Sequence, residues 1–209
     1  MQRVESEQLE DINQGASATT INRILHNALE CFSRYGYAGA SIREITFASE
    51  VTKPTLYYYF KNKEELFTKL AHTCFEEILT ALTFASKRGD TPFEKIISYF
   101  REYTRLCDER LSVVRFVHLI AMAPERSAPD VGVVEFGRKV AAPLYEIIRA
   151  GIDKGEIIKD AEVDLFYSIM GIIQLRVTSL LVGASTTADT TVVERAIQKA
   201  IACSSVLTY

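Results

Sequence analysis

Residues 41–66 read SIREITFASEVTKPTLYYYFKNKEEL, and this stretch contains the start signals of three consecutive helices. Ser41, Thr52 and Asn62 carry side-chain oxygens that accept hydrogen bonds from the free N–H groups of a first helical turn. Pro54 falls in the first turn of the second helix, where a missing N–H is tolerated. The pattern predicts two short helices joined by a tight turn and followed by a longer helix.

Two short helices joined in this way are typical of a helix-turn-helix, whose second helix enters the major groove of DNA. That helix must anchor one face in the core, and Leu56 and Phe60 have the required i, i+4 spacing. Its other face must offer hydrogen-bonding groups to DNA. The candidates on this face are Thr52, Lys53, Thr55, Tyr57 and Tyr58. At the starts of the flanking helices, Ser41 and Lys63 can bind phosphates.

The rest of the chain also has helical periodicity. Apolar residues at spacings of three and four predict a first helix that begins at Thr19 or Thr20 and ends at Gly36. Further helices are predicted at about 62–87, from Thr91, and at about 111–123, 133–154, 163–182 and 190–204. No segment has the period of a strand, so we predict an all-α protein of about nine helices.

Charge is distributed unevenly along the chain. The 209 residues carry a formal net charge of −3, but residues 20–63 carry +3 and residues 1–19 carry −3. A basic segment within an acidic chain indicates a local anionic partner.

Several function classes are disfavoured by the sequence. No apolar run approaches the roughly 20 residues of a membrane span, and the acidic, polar N-terminus is unlike a secretory signal, so we expect a cytoplasmic protein without membrane contact. Four cysteines lie far apart and lack zinc-ligand spacing; a core role is favoured over redox sensing. Motifs of common enzymes are missing. We therefore expect no metal, no cofactor and no catalytic residue.

The motif residues together resemble the signature of the TetR (tetracycline-repressor) family. The resemblance covers about 45 residues, Ile21 to Leu66, and rests on GY-x-x-x-SI-x-x-I from Gly36, VTKPTLYYYF from Val51 and KNKEEL from Lys61. It implies a transcriptional regulator, most often a repressor, that is a homodimer and leaves a palindromic double-stranded operator when a small hydrophobic or aromatic inducer binds. The implied domains are a flexible tail (1–18), a helix-turn-helix domain (19–66) and a ligand-binding and dimerisation domain (67–209).

The resemblance also assigns roles to individual positions. Leu56 and Phe60 correspond to core residues. Phosphate contacts are implied for Ser41, Tyr57, Tyr58 and Lys63, base contacts for Lys53, Pro54 and Thr55, and a further contact for Arg43.

Four positions depart from the usual family pattern. Glu50 stands where the turn glycine is usual, and a left-handed backbone there costs about 1–2 kcal/mol for a residue with a Cβ. Ala40 removes a possible phosphate donor, Thr46 replaces a frequent alanine, and Pro54 replaces a glycine that lets the backbone approach DNA closely.

The second domain offers candidate inducer contacts but no diagnostic motif. Aromatic and methionine side chains with few polar groups are typical of pockets for apolar molecules, and equally of an ordinary core. The candidates are Phe100, Tyr103, Phe116, His118, Met122, Phe136, Tyr145, Tyr167, Met170 and Gln174. Two other hypotheses remain open at this point: a DNA-binding regulator or activator without an inducer, and a small-molecule carrier.

Dimerisation is predicted through the last two helices. The helix at 163–182 is apolar on nearly every side and must be covered all round. The helix at 190–204 carries a narrow stripe that includes Ala196 and Ala200. We expect the two helices and their symmetry mates to form a four-helix bundle.

Overall fold

The computed structural model describes residues 2–122, 124–183, 191, 194, 195 and 198. Within these residues the secondary structure is helical throughout, with eight α-helices, one short 3-10 helix and no strand. The helices are α1 (Gln2–Gly39), α2 (Ile42–Ala48), α3 (Lys53–Tyr59), α4 (Lys63–Ala85), α5 (Pro92–Glu109), α6 (Leu111–Met122), α7 (Val133–Asp153) and α8 (Glu162–Leu181); the 3-10 helix is Lys159–Ala161. The predicted all-α fold and its helix order are confirmed.

Helix α1 differs from its prediction at its start. We predicted a start at Thr19 or Thr20, and the helix begins at Gln2. The preceding segment lacks an apolar stripe, but its glutamates and glutamines are good helix formers and continue the helix without one. The flexibility of residues 1–18 stays a prediction. The ninth helix, with Ala196 and Ala200, lies outside the described residues.

The chain forms two compact units, and the first is assembled from two separate stretches. It comprises the chain through Thr73 together with Met122–Val131, the segment between α6 and α7. The second unit comprises Cys74–Ala121 and the chain from Gly132 onward. The return of residues 122–131 to the first unit was not predicted, since we assigned everything after residue 66 to the other domain.

The core of the first unit is built from the apolar stripes of its helices. Fully buried side chains come from α1, α2, α3 and α4. They include Ile24, Ala28, Phe32, Ile45, Leu56, Leu66 and Phe67. Each buried Leu, Ile or Phe contributes about 1.5–3 kcal/mol, which holds the short helices α2 and α3 in place although neither is stable alone.

In the second unit, α5, α7 and α8 contact one another. The hydroxyl of the fully buried Tyr99 donates a hydrogen bond of 2.7 Å to the carbonyl of Val140, which joins α5 to α7. Helix α5 begins with a capping box in which Thr91 and Glu94 exchange hydrogen bonds.

Helix α8 buries one face and exposes an apolar one. Leu165, Ile169, Ile173 and Val177 are buried within the second unit. The exposed side chains include Val163, Tyr167, Leu175 and Val182. By length and composition alone the segment Lys159–Leu181 could cross a membrane, and core helices of soluble proteins share these properties.

Candidate nucleic-acid interface

Helix α3 begins at a side-chain cap, as predicted. The Thr52 hydroxyl accepts a hydrogen bond of 3.2 Å from the Thr55 N–H, and the two threonine hydroxyls lie 2.8 Å apart. Asn62 accepts the Glu65 N–H at 2.8 Å ahead of α4. Ser41 differs, because it occupies the N-cap position of α2 without a side-chain hydrogen bond to the helix. The prediction that its hydroxyl caps α2 is therefore wrong.

The turn between α2 and α3 has the backbone conformation predicted for Glu50. Its φ is +52°, the left-handed region that glycine adopts most easily. The Glu50 carboxylate lies 3.7 Å from the Arg23 guanidinium, but both side chains are exposed and such a pair contributes little. The pair with Arg23 therefore does little to offset the strain at Glu50.

The two faces of α3 have the predicted environments. Leu56 and Phe60 are buried, and their assignment to the core is confirmed. On the other side Tyr58 is 81% exposed, and Lys53, Pro54 and Tyr57 are also exposed. Thr55 is half-buried. The helix thus presents cationic and hydroxyl groups together in one exposed surface.

Around α2, the exposed Arg43 and the half-buried Ser41 line one groove with Lys53. Thr46 is buried, and its hydroxyl donates to the Arg43 carbonyl at 3.0 Å, so the replacement of alanine leaves no unsatisfied group. Phe47 also lines this groove and is 87% exposed. We did not single out Phe47 from the sequence.

Lys63 has a protein partner. Its ammonium donates to the Ala38 carbonyl at 3.3 Å and lies 4.9 Å from the centre of the Tyr37 ring. The cation therefore sits against residues 36–40, which comprise the end of α1 after its kink at Gly36 and the link toward α2, and which we call the turn between α1 and α2. Contact of Lys63 with a phosphate stays a prediction.

Glu125 contacts the same turn and has no counterpart in the sequence-based predictions. Its carboxylate accepts the Tyr37 N–H at 2.7 Å and the Ala38 N–H at 2.8 Å. No sequence pattern marks this contact, because the donors are backbone groups almost 90 positions away.

The ten candidate pocket residues occupy three environments. Phe100 and Phe116 are buried in the second unit. Half-buried positions are Tyr103, His118, Phe136, Tyr145 and Met170. Met122, Tyr167 and Gln174 are exposed, and Met122 belongs to the first unit. Exposure argues against these last three as the lining of an enclosed cavity, and the other seven stay a prediction.

Burial shifts the pKa values of several side chains so that their neutral forms are favoured. It lowers the pKa of His118, which favours the neutral imidazole. Burial also raises the pKa of Cys74 to about 12 and that of Cys107 to about 11, and it raises the pKa of Cys31. Thiols with raised pKa values react poorly, which argues against redox sensing by these three.

Arg176 of α8 forms an ion pair with Asp108 of α5. One of its terminal nitrogens donates to both carboxylate oxygens of Asp108, at 2.7 and 2.9 Å. Among the described residues no cluster of His, Cys, Asp and Glu side chains is arranged to hold a metal ion.

Comparison with known proteins gives related sequences and folds. Residues 24–70 match the family model of bacterial regulatory proteins, tetR family. The chain is 34% identical over 61 residues to the biofilm operon icaADBC negative transcriptional regulator IcaR of Staphylococcus epidermidis, a match that covers 29% of this chain and 33% of IcaR. It therefore spans a third of the length of that relative.

Two solved structures illustrate the likeness in fold. A TetR family transcription regulator from Marinobacter aquaeolei VT8 has a TM-score of 0.70 at 18% identity, over 90% of this chain and 98% of that one. FadR from Bacillus subtilis, solved in complex with stearoyl-CoA, has a TM-score of 0.64 at 20% identity, over 85% and 95%. At these identities the likeness concerns the fold.

Proposed function

We propose that the chain is a TetR family transcriptional repressor that a small-molecule inducer releases from a palindromic operator, and the match of residues 24–70 to the family model supports this proposal. The observation that carries this proposal is the exposed surface of α3, with Lys53, Tyr57 and Tyr58 outward and Leu56 buried. A DNA duplex offers phosphates and base edges. Cationic and hydroxyl side chains on an exposed helix face can bind both of these groups. On this proposal the chain is a cytoplasmic DNA-binding protein without catalytic activity.

On this proposal the DNA-binding residues form two groups, one that contacts phosphates and one that contacts base edges. Ser41, Tyr57, Tyr58 and Lys63 contact phosphates, with Arg43 and Thr52 beside them. Lys53, Thr55 and the Pro54 ring contact the base edges. The ring of Pro54 makes this contact where a glycine would instead let the backbone approach the DNA more closely.

A second copy of the chain is the proposed partner of α8. Its exposed apolar side chains, among them Tyr167 (65% exposed) and Leu175 (58%), form a face that a soluble protein covers by association. A dimer also supplies two α3 helices. They must lie about 34 Å apart, or a multiple of that, to enter successive major grooves on one side of the duplex.

The proposed inducer is a hydrophobic or aromatic molecule bound in the second unit. The support is the set of aromatic side chains on α4 to α8, with Tyr145 stacked on Phe166 at 3.8 Å and Phe136 on Phe75 at 4.2 Å. Acyl-CoA thioesters belong in the first panel of compounds, because the similar fold of FadR was solved with stearoyl-CoA.

Release by an inducer requires a ligand that prefers the DNA-free state. A shift from almost all bound to almost all released needs about 5.5 kcal/mol of differential binding. By linkage, operator must weaken ligand binding by the same factor by which ligand weakens operator binding.

The test begins with selection of a duplex by the purified full chain from a pool of random sequences. Fluorescence anisotropy then measures binding of that duplex, and calorimetry measures binding of each compound with and without saturating duplex. A selected palindrome and reciprocal weakening support the proposal. Equal ligand affinity in both titrations indicates a constitutive regulator, and ligand binding without any selected duplex indicates a carrier.

A further inference from the structure

The turn between α1 and α2 is held from two sides by oppositely charged side chains. The Glu125 carboxylate accepts the N–H groups of Tyr37 and Ala38 at 2.7 and 2.8 Å, while the Lys63 ammonium donates to the Ala38 carbonyl at 3.3 Å. Both ends of the Ala38 residue therefore have charged partners, and hydrogen bonds to charged groups are stronger than neutral ones. We call this arrangement of Glu125, the turn and Lys63 the turn clamp.

Gly36 makes the approach of Glu125 possible. Its φ is +71°, which glycine adopts without strain, and it separates the long part of α1 from the turn. A Cβ built at this position would lie 2.0 Å from one Glu125 carboxylate oxygen. The backbone conformation favours glycine, and a Cβ here would push the Glu125 carboxylate out of its hydrogen bonds, so the clamp depends on glycine at this position.

The clamp is also tied to the core of the first unit. The Tyr37 ring lies 5.0 Å from the Phe67 ring of α4 and 6.2 Å from the Phe32 ring of α1. The chain then continues from Ala38 to Ser41 in three residues. Fixing the turn therefore fixes where α2 begins, and it also fixes where the Lys63 ammonium rests at the start of α4.

We propose that Glu125 is a positioning residue for operator binding, which acts by holding the turn so that Ser41 and Lys63 are presented to phosphates. The inference rests on the proposed function and extends it to a residue outside the helix-turn-helix segment. Residue 125 belongs to the first unit by its contacts, although α5 and α6 separate it from α4 along the chain.

The proposal predicts that loss of the Glu125 charge weakens DNA binding, whereas simple electrostatics predicts stronger binding. Removal of a negative charge from a DNA-binding unit should by itself strengthen binding to a polyanion. Glu125→Gln keeps the shape of the side chain but replaces one acceptor oxygen with an NH₂ group, which cannot accept a backbone N–H. We expect this variant to bind the selected duplex about tenfold more weakly, with a log–log salt slope reduced by about 0.9 for each phosphate that the variant no longer binds.

The control is Glu30→Gln, which removes the same charge from an exposed position on α1 of the same unit. It should bind as tightly as the wild type or more tightly. Melting temperatures of both variants establish that they are folded.

The outcomes separate the two proposals. A wild-type chain that selects no duplex overturns the proposed function. If the wild type binds and Glu125→Gln binds equally well or better, the positioning role is wrong. Weaker binding with an unchanged salt slope also contradicts it, because a decrease in folded protein lowers the active fraction without changing the number of phosphates bound.

A second measurement needs no variant. Amide hydrogen exchange of Tyr37 and Ala38 in the wild-type chain reports whether the clamp stays closed on DNA. Protection of both amides that persists or increases in the complex supports the proposal. Loss of that protection on binding would show that the clamp opens, and the proposal would then fail.

Discussion

Helices α3 and α8 each bury one face in their own unit, but their exposed faces differ in chemistry. The seven-residue α3 exposes Lys53, Tyr57 and Tyr58, which offer one cation and two hydroxyls. The twenty-residue α8 and its C-terminal end expose Tyr167, Leu175 and Val182. Polar, cationic groups suit a hydrated polyanion, whereas apolar groups gain most from contact with another protein surface.

The difference teaches that exposure alone does not identify a partner. Tyr58 and Val182 are 81% and 72% exposed, yet the hydroxyl of Tyr58 can bond to a phosphate and Val182 has only its area to bury. If α3 faces DNA and α8 faces a second protein, substitutions on the two helices should change different properties of the molecule.

Leu175→Glu on α8 has the largest expected effect. A charge in an apolar interface loses its hydration without gaining a partner, which costs several kcal/mol per protomer and counts twice in a symmetric dimer. We expect light scattering to give the mass of a monomer. The control is Ala142→Glu at an exposed position on α7, which should remain a dimer. A dimeric Leu175→Glu would place the interface on another surface.

Leu56→Ala tests the buried face of α3. The side chain is fully buried, so its truncation should lower the free energy of unfolding by about 2–5 kcal/mol. Denaturant unfolding of the full chain measures the loss. Tyr58→Ala, on the exposed face, should unfold within about 0.5 kcal/mol of the wild type and lose duplex affinity instead. Equal destabilisation by both changes would contradict the division of α3 into two faces.

Lys53→Ala and Lys63→Ala separate base reading from phosphate binding. Truncation of Lys53 should cost about 1–3 kcal/mol at particular base pairs, because the proposed function assigns this side chain to a base edge. Truncation of Lys63 should weaken binding to all sequences and reduce the log–log salt slope by about 0.9. Anisotropy titrations against the selected duplex and its single-base variants measure both effects. An unchanged slope for Lys63→Ala would remove this lysine from the phosphate-binding set.

Glu50→Gly has the smallest expected effect and concerns the turn before α3. Relief of the left-handed strain is partly offset by the greater freedom of glycine in the unfolded chain, so we expect a gain of roughly 0.5–1 kcal/mol. Thermal unfolding measures it. Glu50→Ala removes the same charge and keeps a Cβ, so the difference between the two variants isolates the backbone effect. No difference would mean that φ at this position is unstrained.

Most features governed by a single side chain were predictable from the sequence, and the cap predicted at Ser41 is the exception. The caps at Thr52 and Asn62, the burial of Leu56 and the left-handed backbone at Glu50 each depend on one residue and its immediate neighbours. The fold class followed from periodicity for the same reason, since a helix repeats its pattern every few residues.

Features that depend on distant backbone were not predictable. Glu125 bonds to N–H groups that every residue except proline carries, so neither partner marks the other in the sequence. The pocket candidates show the same difficulty, because the aromatic composition that suggested Met122 and Tyr167 describes a core, a cavity and an interface equally well.

The return of residues 122–131 to the first unit has a consequence for protein engineering. If the first unit is transferred to another protein by a cut at Thr73, Glu125 is left behind, and with it the acceptor of the Tyr37 and Ala38 N–H groups. A transplant that keeps the native turn needs two pieces of the chain. One is the chain through Thr73, and the other is the short connector between α6 and α7. Modularity in this molecule follows the contacts of the chain rather than its linear order.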